Sequence, residues 1–137
     1  MATDQTTRKK LVIICVVIPI ALLHFFTGSN YEGPYREFVN GYLLDIVVPL
    51  AFYFLLCIPN TSLLRLWIVR SMLVFGGACL VEIAQLFGAP IFGRTYDPVD
   101  FAMYALGVAL AALLDTVVFR QIFSFWTPET TESSPES

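Results

Sequence analysis

Four apolar runs, each about as long as a bilayer is thick when wound as a helix, leave this chain few folds to choose from. A hydrocarbon core of about 30 Å takes roughly 20 helical residues. The runs at 11–26, 41–59, 64–87 and 100–125 lie near that length. Only 14% of the 137 residues are charged and 57% are hydrophobic, whereas an ordinary soluble domain carries about 25% charged residues. The sequence therefore predicts an all-α integral membrane protein, a bundle of four transmembrane helices.

The first run is the shortest, and its lead-in Arg8-Lys9-Lys10 also suits a secretory signal peptide. The bulky His24-Phe25-Phe26 that follows it offers no small-x-small cleavage pair, which favours a retained first helix behind a basic cytoplasmic segment, residues 1–10. Basic residues collect on the cytoplasmic side of short loops. Arg8, Lys9, Lys10, Arg65, Arg70 and Arg120 fall at one end of the helices, against Arg36 and Arg94 at the other, so both termini are expected in the cytoplasm. The Glu-, Ser-, Thr- and Pro-rich residues 127–137 carry no apolar periodicity and read as a disordered acidic tail.

With helix directions set, each polar residue acquires a depth, at about 1.5 Å per residue. His24, Asp45, Glu82, Gln85, Arg94, Asp97, Asp100 and Tyr104 all fall toward the outer end. Glu82 and Gln85, three apart, share a helical face, and Tyr104 lies one turn below Asp100. This spacing predicts a polar pocket that opens outward between the third and fourth helices. Ionisable groups placed near hydrocarbon call for a partner or a function.

Simpler readings accompany each residue. Asp97-Pro98 is a helix start, with Asp as N-cap, Pro at the first helical position and Asp100 in the first turn, and capping outweighs chemistry for Asp97. Arg94 suits an ion pair with Glu82 or Asp100, while His24 and Asp45 suit interfacial residues that reach water. At the inner end Arg70 and Asp115 reach similar depth; a buried pair and an Arg70 that snorkels to headgroups stand as equal readings. Cys15, Cys57 and Cys79 lie in apolar runs without metal-ligand spacing and read as small hydrophobes. No metal or cofactor is expected. Gly107 and Ala111 on the fourth helix, with Gly76 and Gly77 on the third, read as small-residue surfaces for close packing of those two helices.

The string Glu82-x-x-Gln85, followed by Arg94-x-x-Asp97-x-x-Asp100-x-x-x-Tyr104-x-x-Gly107, resembles the signature of VanZ-like membrane proteins. It departs from that signature in having Tyr104 where the family carries Asn, a pattern shared by a related uncharacterised family of small bacterial membrane proteins. The resemblance covers the second half of the chain. It implies a small multi-pass protein of the inner (plasma) membrane whose name-giving relative confers low-level resistance to the glycopeptide teicoplanin, and it brings no established reaction or substrate.

Three functions compete. The first is envelope-associated binding of a lipid or cell-wall-related headgroup, lipid-linked or glycopeptide-related, by the outward carboxylates. The second is a structural subunit, a homo-oligomer or a partner of another membrane protein. The third is an enzyme in which Glu82 is the acid or base; the chain lacks a convincing nucleophile, a His pair or a phosphate-cradling loop, and no catalytic residue is assigned. Membrane lipids are the expected surroundings, and no nucleic-acid partner is expected.

Overall fold

The structure, a computed structural model, describes residues 2–27, 31–89 and 96–126. They are all-helical, with no strand among them. Helix α1 runs Ala2–Thr27, α2 Arg36–Leu55, α3 Trp67–Leu86 and α4 Pro98–Ile122, and all four are long and apolar enough to cross a membrane. The chain is a multi-pass membrane protein.

The helix ends differ from the sequence expectation for local reasons. Nothing in residues 2–10 breaks a helix, so α1 starts well before its apolar run, and Asp4 pairs with Arg8 one turn on at 3.0 Å. The basic segment at 1–10, expected as a separate lead-in, is thus the first turns of α1 from Ala2 on. Helix α2 begins five residues early, at Arg36, through a wide π-type stretch at Val39–Leu43. It stops at Leu55, before Pro59, because a proline disfavours helical backbone in the residue preceding it. Helix α4 starts where the Asp-Pro pair indicated: the Asp97 carboxylate accepts the Val99 N–H at 2.9 Å and Pro98 takes the first helical position. The tail at 127–137 lies outside the described residues.

The alternating helices place the start of α1, the end of α4, Arg70 and Asp115 at one end of the bundle, the termini end, and Asp45, Glu82 and Asp100 at the other. Helix α4 is the centre: it packs most extensively on α2 and then on α3, while α1 lies against α2 and the turn at Ser124–Trp126. The apolar core, with Ile13, Tyr53, Phe54, Val74, Val108, Ala111 and Trp126, occupies the termini end. Outward-facing residues such as Met72 and Leu80, about 70% exposed, are apolar, as a surface solvated by lipid tails must be.

The closest helix approach is between α2 and α4. A Cβ on Gly107 would stand 2.9 Å from the Ile46 carbonyl carbon and closer still to its oxygen, so glycine is required there. Ala111, one turn further and fully buried, continues the seam. Gly76 and Gly77 correct the packing expectation: a Cβ at either would meet nothing within 4 Å. Packing of α3 on α4 does not use them. Helical period alone does not say which face of an all-apolar helix meets a neighbour.

Candidate functional site

Two polar centres lie at opposite ends of α4. The one at the termini end is closed. Asp115, 3% exposed, accepts the Tyr53 hydroxyl at 2.9 Å and the Arg70 guanidinium on one oxygen, and the Trp126 indole N–H at 2.8 Å on the other. Arg70 also donates to the Tyr53 hydroxyl at 3.2 Å and to the carbonyls of Leu64 and Arg65, which fixes the turn between α2 and α3. Lys9 of α1 lies 5.1 Å over the Trp126 ring. Of the two equal readings of Arg70, pairing with Asp115 is the one realised.

A π-type stretch at Leu114–Val118 carries Asp115. Such wide turns re-aim a side chain relative to the regular helix, and here it meets three donors. Sequence reasoning missed Tyr53 and Trp126. The signal available for them was weak: buried Tyr and Trp need a partner for their O–H and N–H, and an intramembrane Asp is a natural acceptor. Replacing Trp126 with Phe leaves one buried oxygen of Asp115 without a donor, and should cost about 1–3 kcal/mol, read as a lowered unfolding midpoint in detergent. Cys57, beside this knot, donates weakly to the Tyr53 carbonyl at 3.5 Å. Burial pushes its thiol up to about 11 against the opposing pull of Arg70, so it is a neutral packing group.

The centre at the other end is acidic. Glu82 is 1% exposed, and both of its oxygens are occupied: the Tyr104 hydroxyl donates at 3.0 Å and the Asp97 backbone N–H at 2.9 Å. Glu82 thus ties α3 to the N-cap and the second turn of α4. Tyr42 of α2, absent from the sequence reading, lies near enough to the Asp97 carboxylate for its charge to act on it. It could have been found as the residue three before Asp45, on the same face.

Asp45 of α2 and Asp100 of α4 lie near enough for their charges to interact, and those of Glu82 and Asp97 act on both. Two carboxylates so placed repel, which a cation between them would relieve. Of the two readings of Asp45, an interfacial residue or a further member of the polar set, its place beside Asp100 suits the second. Gln85 is half-buried one turn from Glu82, and His24 is exposed at the end of α1. Arg94, the expected counter-charge, lies outside the described residues. Among the described residues no group of three or more His, Cys, Asp or Glu is placed to hold a metal ion. Between α3 and α4 Glu82 is held by its two donors, and the loop that would border the pocket expected there lies outside the described residues; Asp45 and Asp100 face each other between α2 and α4. No family model, curated protein or solved structure matches this chain.

Proposed function

We propose that the acidic end of the bundle faces the extracytoplasmic side of the plasma membrane, with both termini in the cytoplasm, and binds the cationic headgroup of a lipid or cell-wall-related molecule. The observation that carries this reading is the meeting of Asp45 and Asp100 from separate helices. An ammonium group supplies N–H donors that two carboxylates accept well, without the dense oxygen cage that a divalent metal needs. Glu82, with both oxygens held by internal donors, is the post that positions α4. That occupancy also argues against Glu82 as the acid or base of an enzyme.

The orientation follows the excess of basic residues at the termini end. The relationship to VanZ-like proteins, and with it a link to glycopeptide resistance, remains a proposal that rests on the spacing from Glu82 to Gly107. A structural subunit is the second reading, favoured by Ala102, Ala105 and Ala109, which lie exposed along α4 and would let another helix approach closely.

The test is thermal unfolding of the purified protein in detergent with lipids that carry a primary amine, against lipids whose headgroup lacks one. Binding at about 100 times the dissociation constant stabilises by about 2.7 kcal/mol. The amine lipid should raise the midpoint of the parent chain, and Asp45→Asn or Asp100→Asn should abolish that rise. An equal rise in Asp100→Asn would exclude the carboxyl pair as the site.

A further inference from the structure

The termini end carries more positive charge than its own carboxylates can answer. Its acids among the described residues are Asp4 and Asp115, and each already has a cation: Arg8 at 3.0 Å and the buried Arg70. Lys9, Lys10, Arg65 and Arg120 have no carboxylate partner among the described residues, and Lys10, Arg65 and Arg120 are exposed. These cations come from α1, from the turn between α2 and α3 and from the end of α4, and the knot around Asp115 holds the first two in place. Arg70 grips the carbonyls of Leu64 and Arg65, so the turn that carries Arg65 is fixed from inside, and the Trp126 ring lies under the Lys9 ammonium. Arg65 rests its Nε and one Nη on Asn60, a neutral acceptor, and so keeps its full charge. Apolar surface adjoins each exposed cation: Leu11 next to Lys10, Leu63, Leu66 and Trp67 about Arg65, and Ile122 beyond Arg120, all between 46% and 68% exposed.

We propose that this rim binds anionic phospholipids, their phosphates on Lys10, Arg65 and Arg120 and their acyl chains on the apolar residues beside them. Guanidinium and ammonium groups are strong donors to phosphate oxygens, and a basic side chain held at a membrane surface favours an anionic lipid by about fivefold. A soluble anion would use the cations alone; the adjoining Leu63, Leu66 and Trp67 fit a ligand with hydrocarbon attached to its anionic head, and a Trp is at home at that boundary. The proposal does not depend on which way the chain crosses the membrane, since either end of a spanning bundle lies against a headgroup layer. The rim lies at the opposite end from Asp45 and Asp100 and carries the opposite charge, so its test is independent of the cationic-headgroup reading.

The chain carries its own reporter. Its two tryptophans are Trp67 and Trp126, both at this end, so quenching of their fluorescence by lipids with brominated acyl chains samples this rim and not the acidic end. The full chain is reconstituted in phosphatidylcholine vesicles that contain brominated phosphatidylglycerol or, in the reference arm, brominated phosphatidylcholine. The anionic lipid should be preferred by about fivefold or more. Lys10→Gln, Arg65→Gln and Arg120→Gln combined, all at exposed positions, should bring the preference close to one, while Arg36→Gln at the other end leaves it unchanged. Inorganic phosphate added at constant ionic strength should not compete. Glu129, Glu132 and Glu136 stay in the chain throughout, so a rim that they neutralise would show no preference. Equal quenching by the two lipids in the parent chain, a preference that survives the triple substitution, an equal fall in Arg36→Gln, or a preference abolished by phosphate overturns the proposal.

Discussion

Asp115→Ala is expected to be among the most damaging single substitutions in this protein, a loss of about 3–5 kcal/mol. It strips the acceptor from three donors at once and leaves the Arg70 guanidinium, about 4% exposed, without a counter-charge in a region that cannot hydrate it. Removing both charges is a different experiment: Arg70→Met combined with Asp115→Leu should recover part of the loss, since a hydrophobic replacement of a buried pair is often neutral. Recovery stays incomplete because the Tyr53 hydroxyl and Trp126 indole lose their partner. The readout is the unfolding midpoint of each single and of the double variant in the same detergent. A cost below about 1 kcal/mol for Asp115→Ala, the size of a solvated surface pair, would show that Arg70 escapes to the interface.

Gly107→Ala is the second large effect. Overpacking a tight contact typically costs about 1–3 kcal/mol, and the neighbour here is the Ile46 backbone, which can move only by shifting α2 as a whole. Gly77→Ala supplies the comparison on a helix of similar length. The added methyl meets nothing, and replacing a mid-helix glycine should be neutral or stabilise by up to about 1 kcal/mol. Equal midpoints for the two variants would contradict the close seam between α2 and α4.

Chain length and apolar content were enough to read the four helices, because a bilayer fixes both the length and the composition of a spanning segment. Depth was legible too: Asp45, Glu82, Asp97, Asp100 and Tyr104 lie at one end of the bundle. Rotation about the helix axis was not. In water one face of a helix is polar and reveals the other, but a helix in lipid is apolar on both. Gly76 and Gly107 therefore looked alike, though one faces open space and the other a neighbouring backbone. The same gap left Arg70 undecided, since its partner depends on a π-type stretch that turns Asp115 inward, and it hid Tyr42 and Tyr53, which look like ordinary apolar-run aromatics until α2 is given a direction.

The contact of Lys9 with the Trp126 ring joins the first helix to a residue made after all four helices. Helices that insert one by one associate only afterwards, and the knot around Asp115 is complete only once Trp126, which follows all four helices, has been made. Until then Asp115 lacks one of its three donors and α1 is held by α2 alone. The order of synthesis is in this sense a structural constraint: Trp126, made after α4, closes the knot beside which Lys9 already stands.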